Sequence, residues 1–278
     1  MGERAMTDSS WNFMDPSSQD RLLGVLQREI DDTFALVADP ERWQAPTACE
    51  KWEVRDVIGH LVDTTEGYLP AFDIAREGGT AADPHGLRPM ADLVDEGAKG
   101  LRKVPRAELL ERLDDDAKRM MAVFGGLSAD EWTNLLVPHS FMPPLPAMFY
   151  PEFHLVDYAV HAWDIREGIG EPHGLAADSA DLLAPVIHIL WQATADVSSV
   201  TEPFSIGVRT SGVNASETRY DITPDGVQFG PGDISDCAAI LEFDPGTFVL
   251  TGYQRMNGGT VYGDPDAATR FRSLIFPI

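Results

Sequence analysis

The apolar residues of this chain change their period once, near residue 200, and that change limits the fold more than any single motif. Leu22, Val25, Leu26, Ile30, Phe34 and Val37 recur at intervals of three and four, which lines one face of an α-helix. The spacing predicts a helix over 17–38, with Ser17 or Ser18 as its cap. Similar stripes predict helices over 54–76, 90–103, 105–125, 147–168 and 178–197. The breaks carry stop signals. Gly78-Gly79, Pro84 and Pro89 end one stretch, and Pro138, Pro143, Pro144 and Pro146 exclude a helix from 138–146. Ser128-Ala129-Asp130-Glu131 has the form of a capping box.

After residue 200 short strand-like runs take over, at 204–209, 218–223, 227–229 and 238–243, with a tight turn at Pro224-Asp225-Gly226. Short helices are expected over 245–252 and 265–274, around a strand at 260–262. The expected organisation is a flexible tail over 1–16, a helical bundle over 17–200 and a small α+β domain over 201–278. A 44% hydrophobic share of 278 residues suffices for such cores.

Charge narrows the function classes. The chain has 45 acidic against 21 basic residues, a formal net charge of -24. Such a surface repels nucleic acid and anionic membranes and lacks the basic footprint that nucleic-acid binding needs. No run approaches the ~18 apolar residues of a membrane span, and the polar N-terminus has no signal-peptide pattern. Cys49 and Cys237 form neither a disulfide scaffold nor a CxxC motif. A cytoplasmic protein without nucleic-acid or membrane partners is the expectation.

The chemistry concentrates on two predicted helices. Asp157 and His161 are four residues apart, so they share one helix face. A carboxylate and an imidazole at that spacing can grip one cation, and His60 from another helix can add a third ligand. Three protein ligands leave a coordination position open, as in catalytic rather than structural zinc sites. The bland alternatives remain open here. His60, among Val57, Ile58 and Leu61, equally suits a core histidine bonded to a backbone carbonyl. Asp157 and His161 equally suit a simple hydrogen-bonded pair, because a buried carboxylate needs some partner.

Neighbouring polar residues have ordinary readings too. His154, three before Asp157, is expected to act behind the ligands or on the substrate rather than as a ligand. Asp56 reads as a first-turn acid favouring the helix start. Asp164 reads as a structural polar group pairing with an arginine such as Arg166. His139 lies on the proline-rich loop that can approach the site, Cys49 reads as a small buried thiol, and His85, His173 and His188 read as surface or packing residues. No GxSxG elbow, P-loop, HExxH or strand-linked GxGxxG is present.

Taken together, the run Cys49-x2-Trp52-x2-Arg55-Asp56-Val57-x2-His60-Leu61 resembles the first motif of the mycothiol-dependent maleylpyruvate isomerase family, within the DinB-like superfamily of actinobacterial metalloenzymes. Asp157-x3-His161-x-Trp163-Asp164-Ile165 resembles the second. The resemblance covers most of 18–198, and the C-terminal part is similar to the small sterol-carrier-like domain often attached in this family. It implies an up-down-down-up four-helix bundle holding a divalent metal, usually zinc, on His60, Asp157 and His161. It departs from the isomerase in having aspartate rather than glutamate at the acid position. The isomerase's C-terminal Gly-Arg motif has its nearest match in Gly252-Tyr253-Gln254-Arg255, where arginine does not directly follow glycine.

The function this implies is a metal-dependent thiol transferase or isomerase. A low-molecular-weight thiol such as mycothiol would be held as thiolate and would attack a small electrophile, with His154 and Arg255 as the catalytic candidates. Two rivals stand beside it: a metal-dependent hydrolase of a small amide or ester, and a non-catalytic small-molecule-binding protein.

Overall fold

The computed structural model describes residues 12–171 and 173–278. Most of the tail expected over 1–16 therefore lies outside the described residues. The chain forms two compact units, 13–179 and 180–276.

The first unit contains α1 (Gln19–Leu36), α2 (Val54–Glu77), α3 (Met90–Gly100), α4 (Arg106–Gly125), α5 (Ala129–Asn134) and α6 (Phe149–Gly168). Strands β1 (Leu136–Val137) and β2 (Leu145–Pro146) pair antiparallel and close the proline-rich loop between them. Side-chain contacts set the helix directions. At one end of the α1–α4 pair Gln19 Nε2 donates to Phe124 O, and at the other Arg106 Nη2 donates to Val37 O, so these helices are antiparallel. Arg112 pairs with Glu66 and Phe124 packs on Phe72, so α2 and α4 are parallel. Thr65 meets His154 and Phe72 meets Tyr150, so α2 and α6 are antiparallel. The four long helices thus run up, down, down and up, the order that the resemblance implies. Their buried stripes, such as Leu22, Leu26 and Ile30 on α1 and Val57, Ile58 and Leu61 on α2, make the core.

The second unit is built on a five-stranded sheet of order β5-β4-β3-β6-β7: β3 (Phe204–Thr210), β4 (Ser216–Thr223), β5 (Gly226–Pro231), β6 (Ala239–Phe243) and β7 (Thr260–Gly263). Only β3 and β6 pair in parallel. Helices α8 (Pro245–Gly252) and α9 (Pro265–Leu274) complete it. Helix α7 (Ala177–Ala193) spans the division between the units, which falls at 179/180 and not near 200 as its helical period suggested. The reason is packing. Its first turn bonds within the bundle, Ser179 Oγ donating to Glu29 Oε1 at 2.5 Å. From Ala180 onward its side chains join the second core, where the Trp191 ring lies 5.2 Å from Phe248 and 5.4 Å from Phe271. Periodicity identifies a helix but not the core it fills.

Among the described residues no helix is long and apolar enough to cross a membrane.

Candidate metal centre

The start of α2 is held rigidly one turn before His60. Glu53 N donates to Asp56 Oδ2 at 2.8 Å, and Asp56, fully buried, accepts two 2.6 Å bonds from Arg102. Asp56 thus does cap the helix start, and it also ties α2 to the turn after α3. Gly59 permits the close fit of these helices, because a Cβ there would lie 2.6 Å from Ala98 O.

His60, Asp157 and His161 converge from α2 and α6, each offering a ligand atom within 4.8 Å of the others. His60 Nε2 is 3.3 Å from Asp157 Oδ1, and the two imidazole centroids are 5.0 Å apart. The other nitrogen of each ring is occupied. His60 Nδ1 faces Thr64 Oγ1 at 3.3 Å, and His161 Nδ1 lies 2.8 Å from Asp164 Oδ2. An ionised Asp164 only accepts, so the His161 hydrogen belongs on Nδ1 and its lone pair on Nε2. Metal-binding histidines are oriented by such a carboxylate. Burial raises the Asp157 pKa, but His60, His161 and His154 more than offset it and hold the carboxyl below its usual value. The Trp52 ring lies tilted beside both histidines, at 5.2 and 5.5 Å, and its Nε1 donates to Asp95 at 2.8 Å. Two imidazoles and one carboxylate form an N/O donor set suited to zinc and to several other divalent ions, and the fixed outer nitrogens fit such a group.

Asp164 departs from its expected role. It does not pair with Arg166, whose Nη1 lies 2.7 Å from His173 Nε2. Asp164 is fully buried and receives His161 Nδ1 and, at 3.1 Å, the Cys49 thiol. The position of Asp164, three after His161 on the same helix, was the available signal, since i and i+3 side chains face one another. Gly168 brings Cys49 there. A Cβ on Gly168 would lie 2.2 Å from Pro46 O and 2.4 Å from Thr47 Cα, so the bare backbone lets segment 46–49 lie on the end of α6. Ala48 N then donates to Asp164 O at 2.9 Å. Cys49, His161 and Asp164 also lie within 4.8 Å of one another. Their bonds already serve the buried carboxylate.

The remaining candidates fall in three places. His154 is buried one turn before Asp157 on α6. Thr65 Oγ1 donates to Leu61 O at 2.7 Å and so accepts from His154 Nε2 at 3.3 Å. Burial drives the His154 pKa to about 4. His139 is buried against the Tyr68, Tyr150 and Phe153 rings, and burial drives its pKa to about 4. His85 packs near Phe141 on the same loop. Arg255 belongs to the second unit, just past α8, where its Nη1 donates to Tyr253 O at 3.0 Å. His188 is buried in that unit's core against Tyr220.

Comparison with known proteins follows the same line. The profile of the mycothiol maleylpyruvate isomerase N-terminal domain matches residues 24–166. The crystal structure of a mycothiol-dependent maleylpyruvate isomerase aligns with TM-score 0.57 at 12% identity, over 87% of this chain and 92% of that one. A histidine-to-alanine mutant of that isomerase aligns with TM-score 0.57 at 11% identity over the same shares. The colibactin self-resistance protein ClbS, in complex with a dsDNA, aligns at TM-score 0.47 and 16% identity, over 55% of this chain and 96% of that one, too distantly to bear on function. No curated protein matches the sequence. At these identities the solved structures establish the shared fold, while the sequence match spans half the chain. The chain belongs to the mycothiol maleylpyruvate isomerase family.

Proposed function

We propose that the protein is a divalent-metal-dependent thiol transferase or isomerase that uses a low-molecular-weight thiol of the mycothiol type against a small electrophile. The observation that carries this reading is the convergence of His60, Asp157 and His161 with both outer imidazole nitrogens occupied. Family membership supports the thiol.

His60, Asp157 and His161 would hold the ion, most simply zinc. When bound, a divalent cation supplies the charge that keeps a thiol ionised near neutral pH. Asp164 holds the His161 ring in one tautomer and orientation. Trp52 shields the flank of both imidazoles from water. His154, neutral and tied to Thr65, supports the α2–α6 contact beneath Asp157, and we assign it that role ahead of proton transfer. For Arg255 the resemblance alone supports a catalytic part. An Arg255→Gln variant with intact metal and unchanged turnover would remove it.

The test is elemental analysis beside thiol-dependent turnover. About one equivalent of divalent metal is expected in the protein, lost in His161→Ala together with activity. Full activity in metal-stripped protein, or in His161→Ala, overturns the reading. Turnover of esters or amides without any thiol would replace it by the hydrolase.

A further inference from the structure

The His161 ring meets donor atoms on both of its nitrogen sides. On the Nδ1 side a second set converges, away from Asp157 and His60. Cys49 Sγ lies 3.1 Å from Asp164 Oδ2 and 4.0 Å from His161 Nδ1, and Asp164 Oδ2 lies 2.8 Å from His161 Nδ1. A sulfur, a carboxylate oxygen and an imidazole nitrogen thus close a small triangle. At zinc-type bond lengths a tetrahedral ion holds such donors about 3.4–3.6 Å apart. No side of the triangle departs from that by much more than roughly half an ångström, which small side-chain rotations supply.

The chain holds this triangle from two directions. His161 and Asp164 stand three apart on α6, so their side chains face one another. Cys49 arrives on segment 46–49, and its backbone is pinned there. Trp52 N donates to Cys49 O at 2.7 Å, Thr47 Oγ1 donates to Trp52 O at 2.9 Å, and Ala48 N donates to Asp164 O at 2.9 Å. Asp164 is fully buried and His161 is 8% exposed, whereas Cys49 is half-buried, so the sulfur is the approach from solvent. Two hydrogens, the thiol's and that of Nδ1, point at Asp164. A cation centred among the same donors takes the place of both. Among the described residues Cys237 belongs to no such donor group.

We propose that Cys49, Asp164 and His161 form a second metal site, which takes thiophilic divalent cations such as Cd2+, and that filling it switches the first site off. Thiolate ligands favour soft ions, and the Cys49 and Asp164 anions together match a divalent charge. As the sulfur–metal bond forms, the thiol hydrogen leaves to solvent, and the imidazole carries its own hydrogen on Nε2 instead of Nδ1. A neutral imidazole has one lone pair, so the nitrogen that serves the second site is lost to His60 and Asp157. The two sites share one ring and exclude each other. The second site stands on its three donors alone, while the switching rests on the function proposed above.

The test titrates Cd2+ into the metal-loaded full-length protein and reads the ultraviolet thiolate-to-cadmium charge-transfer band. A saturable band is expected in the wild type and in Cys237→Ser, and its loss in Cys49→Ser, with circular dichroism as the folding control. In the wild type alone, Cd2+ should slow maleimide labelling of the Cys49 peptide, and Mg2+, a hard oxygen-seeking cation, should not. An equal band in wild type and Cys49→Ser overturns the site, and so does a wild type with neither band nor protection. The resident metal should be released to a chelator as the band grows, and Cys49→Ser should keep its metal at the same Cd2+ concentration. Equal release in both proteins, or retention beside a Cys49-dependent band, overturns the switching. A Cys49-dependent band in protein that carries no resident metal would sink the function proposed above and still support this site.

Discussion

The Asp164 carboxylate lies 2.8 Å from His161 Nδ1, one turn further along the same helix, and is itself fully buried. That single contact sets the His161 tautomer and turns the opposite nitrogen towards Asp157 and His60. It also explains why a carboxylate can stay in the bundle interior, because it takes hydrogens from an imidazole and from the Cys49 thiol.

Removing this support should weaken the metal more than it weakens the fold. Asp164→Asn keeps an acceptor but loses the charge, and should lower metal affinity about tenfold. Asp164→Ala should approach a hundredfold. Competition against a chromophoric chelator measures both. Unchanged affinity in Asp164→Ala would show that His161 is oriented by something else.

Gly168 is the second lever on the site. In Gly168→Ala the new methyl would strike Pro46 O and Thr47 Cα, both backbone atoms that cannot rotate aside. Segment 46–49 must lift from α6, which costs on the order of 1–3 kcal/mol of overpacking strain. Urea denaturation should show that loss. The Cys49 thiol should also react faster with a maleimide reagent, since lifting the segment withdraws it from Asp164. Equal stability and equal thiol reactivity would contradict the close approach.

The second unit carries its own pH dependence. His188 is buried between Phe229 and Phe248 and bonds Tyr220, and burial depresses its pKa to about 4. Between that value and the ordinary ~6.5 of an unfolded histidine, the unfolded chain binds a proton that the folded chain does not. Stability from His188 is therefore complete above pH 6.5, declines as pH falls towards 4, and is flat below. The full loss is at most about 3.5 kcal/mol at ~1.4 kcal/mol for each pKa unit. His188→Gln keeps an acceptor for the Tyr220 hydroxyl and removes the titration. Its denaturation midpoint should fall less between pH 7 and pH 5 than that of the wild type, and equal falls would refute the assignment.

The sequence by itself determined the helical elements and the pairing of Asp157 and His161 on one helix face. Helices α1, α2, α4 and α6 followed from local 3.6-residue stripes, and Asp157 and His161 share a face because four residues nearly complete one helical turn. The Ser128 capping box is equally local, and both of its bonds form. Tertiary structure decided everything that depends on which surfaces meet. Asp164 was legible as polar, but its partner depends on how segment 46–49 lies on Gly168. His139 was legible as a loop histidine, but its hydrogen-bond direction depends on Phe141 N and on the approach of Tyr68. Helix α7 was legible as a helix, but the core it fills depends on aromatic partners such as Phe248 and Phe271, more than fifty residues away. Periodicity is a property of neighbours along the chain, whereas a buried polar group takes its partner from whatever donor packing delivers within about 3 Å.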